Sequence, residues 1–224
     1  MAQTPSASST LAELAITHPA ASRVFQSFGL DYCCKGQRPL AEACAERGLD
    51  PDMVLDALAN ASTAPELPAG NWAQQSNETL IRYIVGYHHR RIREELPELV
   101  SMAAKVERVH QRHPACPHGL ADHLAQLSSE LEIHMNKEER VLFPMILDGR
   151  RGLDTPIGVM EAEHRDHGAA LERTRALTTN LTAPDEACPT WRATYLRLLE
   201  FERELMDHVH LENYVLFPRA LEGR

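Results

Sequence analysis

The sequence predicts an all-α protein, in which an up-down four-helix bundle follows a small helical domain. Aromatic residues make up only 5% of the 224 residues, and the chain is rich in Ala, Leu, Glu and Arg, which favour helix over sheet. A pair of residues at the four-residue spacing of one helical face also occurs twice, as His134-x3-Glu138 and His208-x3-Glu212. Short connections between four long helical segments favour the up-down-up-down order.

The small helical domain is predicted over residues 1–60. A capping box at Thr10-Leu-Ala-Glu13 begins its first helix. A second helix ends at Gly29, a residue suited to the left-handed conformation that closes many helices. A turn with the sequence Asp-Tyr-Cys-Cys-Lys-Gly follows at 31–36. Two further helices are predicted at 40–47 and 51–59, the latter with proline at its first position.

A linker is predicted at 61–76 and the four-helix bundle at 77–224. The segment ASTAPELPAGN, which begins the linker, contains two prolines and a glycine, and these residues interrupt regular structure. Long stretches with helical periodicity then alternate with short loops rich in Gly, Pro and Asp. The four helices of the bundle are expected at 77–111, 120–146, 157–178 and 190–221, with approximate ends.

Composition and charge exclude several classes of protein. The formal net charge is −9 and no basic stripe occurs, which argues against a nucleic-acid partner. No apolar run approaches the ~18 residues that a membrane-spanning helix needs, and the polar N-terminal residues predict no signal peptide. The five cysteines are an odd, scattered set and do not resemble a disulfide framework, so a reducing cytoplasm is the expected location.

The duplicated His-x3-Glu pairs predict a dinuclear metal site. The copies lie 74 positions apart, each is followed by Leu-Phe-Pro, and each is preceded by a further histidine, 46 residues upstream in one half and 44 in the other. Inside a bundle, two bridging carboxylates and two histidines for each metal would hold the metals roughly 3.5–4 Å apart and leave a position open for a small molecule. The predicted ligands are His88, His134, Glu138, His164, His208 and Glu212.

Parts of this assignment have alternatives. A single His-x3-Glu pair is usually a surface pair, but a surface pair has no reason to recur with the same Leu-Phe-Pro after it. On the third helix, His167 lies one turn after His164 and competes with it, and His164 is preferred because its spacing to His208 resembles that of the other half. By helical rotation, His89 is expected to lie to the side of the site and His210 to point away from it. The spacing leaves iron, manganese, zinc and copper open.

Three glutamates near the predicted ligands are candidates for a supporting role. Glu130 and Glu204 each lie one turn before a ligand histidine, where a carboxylate could accept the second ring proton of that histidine or form an acidic entry for cations. Glu163, next to His164, is a weaker candidate for the entry path. For Glu130 and Glu204, a solvated helix face is an equally good interpretation.

The adjacent Cys33 and Cys34 are predicted to be reactive thiols. Neighbouring Cα atoms are about 3.8 Å apart, which is shorter than the roughly 4.4–6.8 Å usual for a disulfide, so a bridge between them would be strained. Two thiols on a turn beside Lys35 instead suggest accessible sulfur that takes up a metal, a nitrosyl group or a transferred sulfur. The alternative is that they pack the small domain, since free cysteine buries readily.

These motifs together resemble the Repair of Iron Centres family over nearly the whole chain. The bundle resembles a haemerythrin-like domain, and the unit containing Tyr32-Cys33-Cys34 resembles the small domain attached to it in that family. The resemblance implies a cytoplasmic stress protein of bacteria that restores iron–sulfur clusters damaged by nitric oxide or peroxide. It also implies two non-haem iron ions, oxo- or hydroxo-bridged, at the six ligands named above.

The leading hypothesis is therefore iron–sulfur cluster repair, by iron donation, by handling of nitric oxide, or by both, in a protein that is not a conventional enzyme. Damaged iron–sulfur proteins and a small diatomic molecule such as nitric oxide or oxygen would be its partners, and a homodimer is one option for its assembly. The alternatives are a haemerythrin-like protein that binds or senses oxygen or nitric oxide, and an enzyme with nitric oxide reductase or peroxidase activity. Simple oxygen carriage needs no thiols, so the cysteine turn argues against it.

Overall fold

The computed structural model describes residues 5–18, 20–61 and 72–223, and within these ranges the chain forms helices and no β-strand. The all-α prediction is confirmed. The chain divides into two compact units, one comprising Met1–Leu80 and Met206–Arg224 and the other Ile81–Leu205. Most of the predicted linker, residues 62–71, lies outside the described residues. In the described part of the chain, no helix is both long and apolar enough to cross a membrane.

Short helices make up the N-terminal part of the first unit. They are α1 (Leu11–Thr17), α2 (Ala21–Ser27), α3 (Leu40–Arg47) and α4 (Pro51–Asn60). The capping box is present, because the Thr10 hydroxyl accepts from the backbone N–H of Glu13 and the Glu13 carboxylate accepts from that of Thr10. Asp50 caps α4 in the same way, by accepting from the N–H of Asp52.

An apolar core holds these four helices together. Leu11, Phe25, Tyr32, Leu40 and Val54 have no solvent exposure, and burying a side chain the size of leucine or phenylalanine contributes about 1.5–3 kcal/mol. Tyr32 belongs to the 31–36 turn, and its ring packs 5.9 Å from that of Phe25, measured between centroids. The core therefore fixes the start of the turn that carries the two cysteines.

Long helices form the second unit and continue into the first at both ends. Helix α7 packs against both α6 and α9. Leu120, Leu124, Leu127 and Leu131 form a buried stripe along α7, and His134 follows in the same stripe. The helices from residue 77 onward are α5 (Asn77–Tyr83), α6 (Arg90–His110), α7 (Leu120–Lys137), α8 (Phe143–Leu147), α9 (Asp154–Leu177), α10 (Pro189–Leu211) and α11 (Phe217–Glu222). Of these, α11, the start of α5 and the end of α10 belong to the first unit.

Three turns of π-helix connect these elements, at Ile84–His89, Glu138–Leu142 and Glu212–Leu216. In the second, the backbone N–H of Phe143 bonds to the carbonyl of Glu138, one residue further back than in an α-helix, and the third repeats this pattern. The residue that follows is proline in both cases, which lacks an N–H and whose ring would clash with the carbonyl four residues before it. The wider turn relieves that clash, so the repeated Leu-Phe-Pro motif accounts for two of the three π-turns.

Candidate metal centre

The second unit brings a carboxylate and two imidazoles of the predicted ligand set together. His134 Nε2 lies 3.4 Å from Glu138 Oε1, one helical turn away, and His164 Nε2 lies 3.0 Å from His134 Nε2. The ligand atoms of these three residues all lie within 4.8 Å of one another. None of the three residues is more than 1% exposed. These distances suit groups that share a cation.

The histidine that joins this cluster from the preceding π-turn is His89. Its Nε2 lies 3.4 Å from Glu138 Oε2, and both side chains are fully buried. The ring of His88, the residue predicted as a ligand, packs edge-on against the rings of Tyr83 and Tyr87 instead. The π-turn that ends at His89 adds a residue to one turn, which rotates the chain by about 100° relative to an uninterrupted helix. The structure therefore places His89, and not His88, against the carboxylate.

Both candidate histidines of α9 contact His134. The nearest approach is that of His164 Nε2, whereas the ring of His167 packs edge-on against the His134 ring with 4.8 Å between centroids. His167 is also buried, with 4% exposure. His164 thus has the position of a ligand, and His167 packs beside the cluster.

Glu163 orients His134. One of its carboxylate oxygens accepts a hydrogen bond of 2.8 Å from His134 Nδ1, and the other pairs with Lys137. Because the proton is then on Nδ1, the lone pair of Nε2 faces Glu138 and His164. Burial would raise the pKa of Glu163, but the hydrogen bonds from Lys137 and His134 outweigh it and lower that pKa. The carboxylate thus stays ionised and holds the imidazole in one tautomer.

Glu139 does the same for His89, a role that was not predicted from the sequence. His89 Nδ1 donates to Glu139 Oε1 over 2.8 Å, and Arg93 donates to the same oxygen over 2.8 Å. Burial would raise the pKa of Glu139, but the hydrogen bonds from Arg93 and His89 lower it. Only two features of the sequence point to Glu139. It directly follows Glu138, and Arg93 lies four residues after His89.

Glu130 and Glu204 have other partners. Glu130 accepts a hydrogen bond from the side chain of Gln126 at an exposed position, and Glu204 accepts one of 2.7 Å from Arg91. Neither contacts a ligand histidine among the described residues. Of the three glutamates named from the sequence, only Glu163 lies against one.

The second His-x3-Glu pair lies in the first unit and repeats the local geometry of the other copy. His208 Nε2 is 2.9 Å from Glu212 Oε1, and both side chains are buried, with at most 1% exposure. The glutamate again begins a π-turn. The i, i+4 spacing therefore brings imidazole and carboxylate together in both copies, as predicted.

These donors fit a metal cation. In each unit, a buried carboxylate lies beside an imidazole nitrogen, and the Nε2 lone pairs of His89 and His134 are directed at Glu138 by the protons held on their Nδ1 atoms. A buried carboxylate facing such lone pairs is costly without a positive charge. Neutral imidazoles and ionised carboxylates are the forms that bind first-row transition metals.

The cysteine turn forms a second group of donors, in the first unit. Asp31 Oδ1 accepts from the backbone N–H of Cys33 and Cys34 at 3.2 and 2.9 Å. Cys33 Sγ lies 3.4 Å from the same oxygen and 3.6 Å from Cys34 Sγ, so the two cysteines are free thiols. The hydrogen bond with Cys34 and burial raise the pKa of Cys33 well above its usual value. Cys33 is buried, and Cys34 is half-buried.

The segment that carries His208 and Glu212 holds this turn. Tyr32 donates from its hydroxyl to Asp207 over 2.7 Å, Asn213 donates to the carbonyl of Cys33 over 3.0 Å, and the N–H of Gly36 donates to the Tyr214 hydroxyl over 2.8 Å. These contacts explain why the C-terminal segment groups with the N-terminal helices in the first unit.

Two further features show that the cysteine turn packs closely against this C-terminal segment. A Cβ atom at Gly36 would lie 2.3 Å from the carbonyl oxygen of Tyr32 and 2.8 Å from the ring of Tyr214, so only glycine fits there. The ring of His210 packs between those of Tyr32 and Tyr214, and burial lowers its pKa to about 4, which keeps it neutral. The turn and the segment therefore form one packed unit.

Comparison with known proteins agrees with both halves of this description. Residues 80–220 match the haemerythrin HHE cation binding domain, and residues 7–62 match a domain of unknown function. The chain is 49% identical to the iron–sulfur cluster repair protein YtfE of Dickeya chrysanthemi over 215 residues, which cover 96% of this chain and 97% of that protein. The protein of the same name from Musicola paradisiaca is 50% identical, and the match covers 96% of each chain. The one from Yersinia pseudotuberculosis is 47% identical, and the match covers 96% of this chain and 97% of that protein.

Proposed function

We propose that this chain, which belongs to the family of iron–sulfur cluster repair proteins with a haemerythrin domain, restores iron–sulfur clusters damaged by nitrosative or oxidative stress. The observation that carries the proposal is the presence in one chain of two buried His–Glu pairs and of a dithiol turn packed on the segment that bears one of them. The relatives match over nearly their full length, so the two parts occur together in them as well.

We propose that both His–Glu pairs serve one centre of two iron ions, with Glu138 and Glu212 as bridging ligands. The support is the duplication of the motif and the geometry within each unit. The remaining ligands are His89, in place of the predicted His88, together with His134, His164 and His208. When bound, such a centre supplies ferrous iron and an open coordination position for a small molecule such as nitric oxide or oxygen.

The residues around the proposed centre prepare it for the metal. Glu163 and Glu139 hold protons on the Nδ1 atoms of His134 and His89, so both histidines present lone pairs without rearrangement. Lys137 and Arg93 keep those carboxylates ionised. Their contribution is orientation, because donors held in place in advance lose less freedom when the metal binds.

Cys33 and Cys34 are proposed as the reactive groups that meet the damaged protein or take up the damaging group. Cys34 is half-buried, whereas Cys33 is buried with its Sγ 3.6 Å from that of Cys34, so we expect an incoming thiophilic group to reach Cys34 first. All five cysteines are free, and we propose that the protein works in a reducing cytoplasm, where free thiols persist.

The test is recovery of a damaged client. A [4Fe–4S] hydro-lyase is exposed to nitric oxide under anaerobic conditions and incubated with iron-loaded protein, with chelated protein, or with free ferrous iron at the same concentration. We expect cluster absorbance and client activity to return only with the iron-loaded protein. The double variant Cys33→Ser with Cys34→Ser should recover the client far more slowly, whereas Glu130→Gln, at an exposed glutamate, should behave like the unmodified chain.

Two results would contradict the proposal. Equal recovery with free ferrous iron would mean that the protein contributes nothing beyond its iron. Steady-state consumption of nitric oxide in the presence of a reductant, without recovery of the client, would instead indicate a nitric oxide reductase.

A further inference from the structure

The 31–34 segment contains three potential metal ligands close together. Asp31 Oδ1, Cys33 Sγ and Cys34 Sγ all lie within 4.8 Å of one another. All three belong to one turn and all lie in the first unit. None of them is among the ligands proposed for the iron centre.

Two of the three distances between these donors match those around a tetrahedral metal ion. Two thiolates bound at about 2.3 Å with a tetrahedral angle between them lie about 3.8 Å apart, and a thiolate and a carboxylate oxygen bound at about 2.1 Å lie about 3.6 Å apart. The corresponding distances here are 3.6 Å between the two sulfurs and 3.4 Å between Cys33 Sγ and Asp31 Oδ1. Both pairs are therefore within a few tenths of an ångström of metal-bound positions.

The backbone around these donors is already fixed. Asp31 Oδ1 accepts from the N–H groups of both cysteines, and Asn213 and Tyr214 bond to the backbone at Cys33 and Gly36. A carboxylate oxygen has two lone pairs, so Asp31 can keep a backbone contact and bind a metal as well. The adjacent thiols do not form a relaxed disulfide with each other. They consequently remain available as a pair of soft ligands.

We propose that Asp31, Cys33 and Cys34 form a second metal site, which binds a thiophilic divalent cation such as ferrous iron or zinc and leaves its fourth position open. Two thiolates and one carboxylate neutralise the cation and add one negative charge. Cys34 is half-buried, so we expect a fourth ligand to enter from its side. Soft thiolate ligands select such cations over magnesium and calcium.

The open position has a consequence that rests on the proposed function. Iron–sulfur clusters are held by cysteine thiolates, so a thiolate of the damaged client is a suitable fourth ligand. The metal could then pass by ligand exchange, in which a client thiolate replaces a thiolate of the turn and the released thiolate takes up the proton of the incoming thiol. The metal stays divalent throughout, and no oxidant or reductant is needed.

Cobalt(II) distinguishes this site from the histidine–carboxylate centre. A cobalt ion bound by thiolates has an intense near-ultraviolet charge-transfer absorption, and a cobalt ion bound by imidazole and carboxylate lacks it. We expect the full chain, reduced and metal-free, to develop that absorption and to reach, at saturating cobalt, the intensity of one thiolate-bound cobalt per chain. Cys33→Ser and Cys34→Ser should each abolish it. Asp31→Asn keeps an acceptor for the backbone N–H groups but is a poorer ligand, so it should weaken the binding by at least roughly 10-fold, the lower end of what the loss of a group behind a metal ligand costs.

Controls and contrary outcomes follow from the other cysteines. Cys188→Ser and Cys44→Ser, which change thiols outside the turn, should leave the absorption intact, and circular dichroism checks that every variant is folded. A full chain that binds cobalt without the thiolate absorption would overturn the proposal, as would an absorption that survives in both turn variants. If the absorption is present but the client is not repaired, the second site stands and the repair function fails. If repair fails only in Asp31→Asn and in the variants of Cys33 and Cys34, both the second metal site and the repair function are supported.

Discussion

At the scale of single residues, Glu138 is the side chain on which the proposed centre depends most. Its two oxygens lie 3.4 Å from His89 Nε2 and from His134 Nε2, so one carboxylate faces both histidines. We expect Glu138→Gln to lower the iron content from two per chain toward one or none, measured by elemental analysis. Full iron occupancy in this variant would disprove the bridging role.

The same substitution should stabilise the metal-free protein. The cost of burying an ionised carboxylate disappears when the side chain becomes an amide, and that cost is roughly 1–3 kcal/mol or more for a charged group. Chelated Glu138→Gln should therefore melt at a higher temperature than the chelated unmodified chain, whereas iron loading should stabilise only the latter strongly. Identical melting curves of the two chelated proteins would count against a buried charge at this position.

The neighbouring histidines His88 and His89 provide a second test at this scale. His89 faces the carboxylate, while the ring of His88 packs on two tyrosines. His89→Ala should thus reduce the iron content substantially, and His88→Ala should leave it near two per chain and act mainly on stability. The reverse ranking would restore the assignment made for a regular helix.

At the scale of the helices, His123 links α7 to α9. Its Nε2 lies 3.0 Å from the carbonyl oxygen of Ala170 and 3.0 Å from the Thr174 hydroxyl. Burial lowers the pKa of His123, the hydrogen bond to Ala170 raises it, and the charges of Arg173 and Glu130 act in opposite directions, with a net decrease. The folded state therefore prefers the neutral ring.

A pH dependence of stability follows from this lowered pKa. The unfolded chain binds a proton at His123 near pH 6.5 and the folded chain only at lower pH, so stability is lost as the pH falls through about 6.5. Denaturant titrations of chelated protein at pH 7.5 and 5.5 should show a smaller loss for His123→Gln than for the unmodified chain. The other histidines affect both proteins equally, and an unchanged loss in the variant would refute the assignment.

The helices show which features could be predicted from the sequence and which could not. Caps and i, i+4 pairs are local, so the capping box at Thr10 and both His-x3-Glu pairs could be predicted. The choice of His89 could not be, because it depends on a π-turn whose position no proline marks. The role of Glu139 could not be predicted either, since it arises from a contact across 50 residues of the chain. The grouping of Met206–Arg224 with the N-terminal helices in one unit arises from contacts with the cysteine turn that are distant in the sequence.

At the scale of the whole molecule, the N-terminal part should support one half of the proposed iron centre. A fragment beginning at Trp72 lacks the turn that Asp207, Asn213 and Tyr214 bind, and it exposes the ring of His210. We expect the fragment to melt at a lower temperature and to bind fewer than two irons, because the segment with His208 and Glu212 loses its packing partner. The full-length double serine variant at positions 33 and 34 keeps that partner and should keep its iron. A fragment with two irons and an unchanged melting curve would show that the segment is self-sufficient.

The π-turn at Glu138–Leu142 limits how the chain can change in length. It contains one residue more than an α-helical turn, so deleting Val141 would let the N–H of Phe143 bond to the same Glu138 carbonyl as in an α-helix and would keep the ring of Phe143 on its buried side. The shortened turn would, however, bring the ring of Pro144 against the carbonyl four residues before it. Insertions and deletions should therefore accumulate in the surface connections around residues 111–119 and 178–188, and a single-residue gap within the π-turn should be tolerated only where the proline is replaced as well.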